Sequence, residues 1–124
     1  MTICLKRIYE PIGEHDGYRV LVDRLWPRGI SKKDAAIDLW LKESAPSTAL
    51  RQWFNHEAAK WEAFKTKYFA ELDAKQQYLQ PLIDAADTGN LTLVYSSRDM
   101  EHNQAVALRE YLETSLFIGT KHLR

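Results

Sequence analysis

The sequence predicts an α/β domain, a small, mostly parallel sheet of about four strands with helices packed against it. Three observations carry the prediction. Short apolar runs recur at residues 3–8, 18–26, 38–41 and 91–96. Stretches with helical spacing separate the third run from the fourth and follow the last, and strands alternating with helices suit a parallel sheet. The chain has 124 residues, 45% hydrophobic and 27% charged, which is the material of one ordinary core. A single domain is therefore expected over residues 1–115, with 116–124 as a C-terminal tail.

Residues 3–8 form the first strand, with Ile3 and Leu5 on one face and Cys4 as a small core residue. Residues 11–17 carry turn chemistry in Gly13, Asp16 and Gly17. The run Val20-Leu21-Val22 suits a central strand covered on both faces, and Pro27 and Gly29 stop it. Ser31, with an acid at Asp34, marks the start of a short helix. Residues 38–41 fit a third strand or the end of that helix. Ser47 caps a helix over 48–54.

A longer helix restarts at Asn55 or His56. Its inward stripe is Ala58, Trp61, Phe64, Tyr68 and Leu72, in steps of three and four. Leu79, Leu82, Ile83 and Ala86 repeat that spacing, Pro81 falls near the helix start, and Gly89 closes it. Residues 91–96 are the last strand, and Asp99 caps a helix running to about Thr114.

Lys plus Arg number 17 and Asp plus Glu number 17, so the formal charge is zero. Nucleic-acid modules carry a basic excess that neutralises phosphates, which disfavours nucleic acid as a partner. Cys4 is the only cysteine, so no internal disulfide and no Cys-rich zinc module is expected. Charge arrives too early, at Lys6 and Arg7, for a signal-peptide core. No apolar run approaches the roughly 18–20 residues that span a bilayer, so a cytoplasmic protein without a membrane partner is expected. His-Glu-x-x-His, Walker, Gly-x-Gly-x-x-Gly and Gly-x-Ser-x-Gly strings are missing, as is a Cys-x₅-Arg loop. No metal or other cofactor is expected.

Ligands in open parallel sheets bind beyond the carboxyl ends of the strands. Two such ends are unusual here. One reads Asp23-Arg24-Leu25-Trp26-Pro27-Arg28-Gly29, and the other reads Ser96-Ser97-Arg98-Asp99 before Glu101-His102-Asn103. Arg24, Arg28 and Arg98 are candidates to hold an anion, with Trp26 as its cover. Asp99, Asn103 and Arg109 are further ligand-binding candidates, and Asp23 and His102 are candidates to orient the ligand or move a proton. The opposing reading pairs the arginines internally with Asp23, Asp38 or Asp99 and makes His102 a hydrogen-bonded core residue.

At 100° per residue, Ala105, Val106, Leu108 and Leu112 form an apolar arc with His102 and Arg109 inside it. A charge in a buried stripe needs a partner, so Arg109 either reaches an acid such as Asp23 or lines a polar pocket. Trp53, Phe54 and His56 mark either a pocket wall or the joint between two helices.

These strings, together with Lys6-Arg7-Ile8-Tyr9, Trp40-Leu41-Lys42, Ala45-Pro46-Ser47 and Gln104-Ala105-Val106, resemble the YeaO-like branch of domain-of-unknown-function family 488. The resemblance runs from about residue 3 to residue 113. It implies a small bacterial cytosolic α/β protein, in a family without an assigned activity. Longer relatives carry Cys and His-Arg near the start of the last helix. Residues 96–103 here hold no cysteine, so that thiol chemistry does not carry over. A MarR-type regulator label borne by some relatives implies a winged helix, which four strands and zero net charge do not support.

The resulting expectation is a pocket for a small anionic ligand, phosphorylated or nucleotide-like, at the strand ends. The alternative is a non-catalytic interaction or regulatory module, and the residues leave open whether the pocket is catalytic.

Overall fold

The computed structural model describes residues 2–117, and its four strands are all parallel. They are β1 (Thr2–Arg7), β2 (Tyr18–Leu21), β3 (Leu39–Trp40) and β4 (Asn90–Tyr95), in spatial order β1-β4-β2-β3. The α-helices are α1 (Lys32–Ala35), α2 (Thr48–Phe54), α3 (Trp61–Asp73), α4 (Gln80–Thr88) and α5 (Gln104–Tyr111). Leu112–Phe117 continue α5 as a π-helix, and the rest of the expected tail lies outside the described residues. Among those residues no helix is long and apolar enough to cross a membrane.

Strand alternation divides the apolar side chains between two faces. Val20, Val22, Leu91, Leu93 and Tyr95 meet α2, α3, α4 and α5 in the main core. Leu21 and Val94 point the other way, to a smaller cluster with Ile8, Ala35, Trp26 and Trp40. The expected interior position of β2 is met, since it lies between β4 and β3. Its length is shorter than the apolar run: after Leu21 only the Val22 N–H continues the ladder, to the Val94 carbonyl (3.0 Å). Residues 39–40 prove to be strand, not helix end.

Local chemistry sets the helix starts. The hydroxyls of Ser31 and Ser47 accept from the N–H groups of Asp34 (3.0 Å) and Leu50 (3.1 Å). The long helix does not start at 55 or 56, because Asn55 and His56 take left-handed backbone, φ 46° and 56°. A 3₁₀ turn, Ala58–Lys60, intervenes, which leaves Ala58 exposed. The rest of the expected stripe holds: Phe64, Tyr68 and Leu72 are buried and Trp61 packs at their edge.

Two expectations about charge and sulfur are corrected. Cys4 is exposed, because alternation turns it away from the face that Ile3 and Leu5 occupy. The arginines that serve as internal struts are Arg7 and Arg19, which the sequence reading passed over. Arg19 is 3% exposed and sits on the smaller face of the sheet. Its guanidinium donates to Asp16 (2.5 Å) and to the carbonyls of Ala35 (2.9 Å) and Ala36 (3.2 Å). Asp16 also accepts from Lys6 (2.9 Å) and the Gly13 N–H (3.0 Å). Gly17 holds this loop against β4 at φ 66°, where a Cβ would run into the Asn90 carbonyl.

Candidate functional site

A cleft of about 610 Å³ opens at the carboxyl ends of β2 and β4. That volume falls in the usual range for small-molecule sites, roughly 300–1,000 Å³. Residues 23–28 form one wall, α2 and the residues after it form another, and the start of α5 closes the third side.

The first wall is held in place by its own aromatics. The Trp26 indole N–H donates to the Ile30 carbonyl (2.8 Å), and its ring meets Trp40 edge-on, 5.5 Å between centroids. The Tyr9 hydroxyl donates to the Arg28 carbonyl (2.6 Å), and Gly29 turns the chain at φ 80°. Arg24, Leu25 and Arg28 therefore project from a pinned loop. Arg7 secures the opposite wall by donating to the carbonyls of Ser97 (2.9 Å) and Ser96 (3.1 Å).

Asp23 joins the two walls. The Ser96 hydroxyl donates to one carboxylate oxygen and the Gln104 amide to the other, both at 2.5 Å. Burial pushes the Asp23 carboxyl above the usual carboxylate range, against the Ser96 and Gln104 hydrogen bonds that pull it down. A group whose folded pKa is raised adds most stability below its unfolded pKa, near 3.8, and that stability is lost as pH rises through the folded value. Urea unfolding from pH 4 to 7 is therefore expected to show wild type losing stability relative to Asp23→Asn as pH increases. Curves that stay parallel across that range would show the carboxyl titrating as it does in the unfolded chain.

The arginines of this cleft do not pair as the opposing reading supposed. Among the described residues no carboxylate lies within 4.0 Å of the side chains of Arg24, Arg28 or Arg51. Arg24 makes one long contact, 3.4 Å to the Pro46 carbonyl, and its Nε is buried without an acceptor. Arg51, on α2, lines the same cleft and was missed by the sequence reading. Its only signal was the helical offset from Ser47, which says nothing about what the helix faces.

The start of α5 also differs from expectation. Asn103, not Asp99, is the N-cap: its side-chain oxygen accepts from the N–H groups of Ala105 (2.9 Å) and Val106 (3.1 Å), and its amide donates to the Asp99 carbonyl (2.8 Å). Asn103 borders the cleft with those atoms already engaged. Asp99 opens the preceding turn, accepting from the N–H groups of Glu101 (2.9 Å) and His102 (3.0 Å). The Glu101 N–H, with His102, holds the Asp99 carboxyl below the usual range despite partial burial. The same carboxylate lies 3.0 Å from His102 Nδ1.

Asp23, Arg24, Trp26, Arg28, His102 and Asn103 thus share one cleft, whereas Arg98, Asp99 and Arg109 are not among its lining residues. Arg109 is 39% exposed and stands 4.0 Å from Glu113. Ala105, Leu108 and Leu112 of the expected arc are buried, Val106 is half-buried, and Tyr111 rather than Arg109 completes the buried face of α5. His102 precedes the helix, so the wheel does not apply to it.

Residues 2–120 match the family model described as the inactive DUF488-N3 subclade. The chain is 46% identical over 114 residues to the uncharacterized protein YeaO of Escherichia coli K12, covering 92% of this chain and 99% of the relative. It is 37% identical over 110 residues to the uncharacterized protein Rv3073c of Mycobacterium tuberculosis H37Rv, covering 89% of this chain and 92% of the relative. No solved structure gives a significant match.

Proposed function

This chain belongs to the DUF488-N3i family, the inactive DUF488-N3 subclade, and from that premise we propose that it binds a small anionic molecule in the strand-end cleft without turning it over. The observation that carries the reading is the gathering of Arg24, Arg28 and Arg51 around one cleft, with no carboxylate within 4.0 Å of them among the described residues, in a chain of zero net charge. Guanidinium groups donate in a planar fork that matches phosphate and carboxylate oxygens. Asp23 faces these three with a carboxyl already engaged by Ser96 and Gln104. In this reading Asp23 sets the spacing of the walls and is not a proton carrier. His102, with Nδ1 beside Asp99, offers its other ring nitrogen to the ligand. The zero formal charge and the small volume of the cleft favour a small anion over a nucleic-acid backbone.

Isothermal titration with inorganic phosphate, at constant ionic strength, tests the reading. A charge-assisted hydrogen bond contributes about 1.5–3 kcal/mol, so Arg24→Ala and Arg51→Ala are each expected to weaken phosphate binding by roughly 10–100-fold. Equal binding by wild type and both variants would remove the cleft from consideration.

A further inference from the structure

α2 is polar on the side that borders the cleft. Its core side carries Leu50 and Phe54, both buried. Thr48, Arg51, Gln52 and the capping residue Asn55 follow at i, i+3, i+4 and i+7, and all four line the cleft. Arg51 belongs with the anion-holding arginines; the other three are uncharged. Among the described residues, the side chains of Thr48, Gln52 and Asn55 make no hydrogen bond within the chain.

The stripe is rigidly carried. Ser47 caps α2 through its hydroxyl, and Glu71 of α3 accepts from both the Ser47 N–H (2.8 Å) and the Ser47 hydroxyl (2.6 Å). The left-handed Asn55 ends the helix at the cleft's edge. The helix thus holds a hydroxyl and two carboxamides, each both donor and acceptor, on the side where Arg51 stands, with their side chains open to the cleft.

The chemistry of these groups selects among anions. A free inorganic anion has no use for three uncharged donor–acceptor groups set along a helix. A flat heteroaromatic base needs an open ring to stack on: Phe54 and Phe64 are 7% and 2% exposed, which leaves half-buried Trp26 and the histidines at the rim. Trp26 is fixed by its edge-on contact with Trp40 and its N–H bond to the Ile30 carbonyl, so it has little freedom to turn onto a base. A hydroxyl-bearing carbon frame needs neither, because each hydroxyl pairs with an amide or another hydroxyl.

We infer that the cleft takes a phosphorylated sugar, its phosphate held by the arginines and its hydroxyls read by Thr48, Gln52 and Asn55. This rests on the anion reading above and adds the class of molecule that bears the charge.

Isothermal titration with inorganic phosphate, ribose 5-phosphate, glucose 6-phosphate and adenosine monophosphate separates the two claims. At least one of the sugar phosphates is expected to bind tenfold or more tightly than inorganic phosphate. The double variant Gln52→Ala with Asn55→Gly is expected to erase that difference and leave phosphate binding in place. Glycine at 55 keeps the left-handed backbone without strain. Sugar phosphates no tighter than phosphate, with phosphate binding still dependent on Arg51, would overturn the sugar class and spare the anion reading. Adenosine monophosphate binding tenfold more tightly than ribose 5-phosphate would also overturn it, since the base would then be read. Binding of none of the four would overturn both.

Discussion

Asp16→Ala is expected to destabilise the protein by about 3–5 kcal/mol at neutral pH, the range for removing one partner of a buried ion pair. The Asp16 side chain is 12% exposed and the Arg19 side chain 4%. With the carboxylate gone, Arg19 remains under the sheet with only the carbonyls of Ala35 and Ala36, which bring no compensating charge. Lys6 and the Gly13 N–H lose the same acceptor. Partial burial pushes the Asp16 carboxyl up, but the Gly13 N–H, Lys6 and Arg19 outweigh it and hold the carboxyl below the usual range. A depressed folded pKa adds stability above the unfolded value, 3.8, that disappears as pH falls through the folded one. The gap between wild type and Asp16→Ala should therefore narrow in strong acid.

Urea unfolding measures the loss, and a cycle with Arg19→Met assigns it. Removing the arginine as well should recover part of the stability, because no unpaired charge then stays buried. A loss below about 1 kcal/mol for Asp16→Ala would place the pair in the class of screened surface bridges.

Phe64→Ala is expected to cost about 3–5 kcal/mol. The ring is 2% exposed and stands among Phe54 (4.5 Å between centroids), Trp61 (5.6 Å, stacked) and Tyr68 (5.7 Å). It also forms part of the cleft floor. The void left by alanine joins that cleft and admits water, which places the loss toward the lower end of the range. Phe64→Leu keeps most of the volume and is expected to cost less than about 1.5 kcal/mol. Denaturant midpoints of the two variants check this, and a Phe64→Ala protein as stable as Phe64→Leu would show that side-chain volume at this site adds nothing to stability.

How far the sequence reaches can be seen residue by residue. The β4 run, the α3 stripe of Phe64, Tyr68 and Leu72, and the serine caps at 31 and 47 were legible, because each depends on neighbours within a few positions. Asn55 and His56 were misjudged because a left-handed pair leaves no mark in hydrophobic spacing. The candidate site was half legible. Arg24 and Arg28 stand out in a string bounded by proline and glycine, while Thr48, Arg51, Gln52 and Asn55 look like the wet side of any amphipathic helix. Nothing local marks such a side as the wall of a cleft.

From its sequence alone this protein is an α/β domain with a charged string at the end of an interior strand, because periodicity and turn chemistry act over a few residues. Tertiary structure alone decided which arginines are struts and which stand, among the described residues, at the cleft without an acid partner. Asp23 meets Ser96 and Gln104, 73 and 81 positions away, and Arg7 reaches Ser97, 90 positions away, only because β4 lies between β1 and β2. Strand order is a property of the whole packed sheet, and these polar partners follow from it.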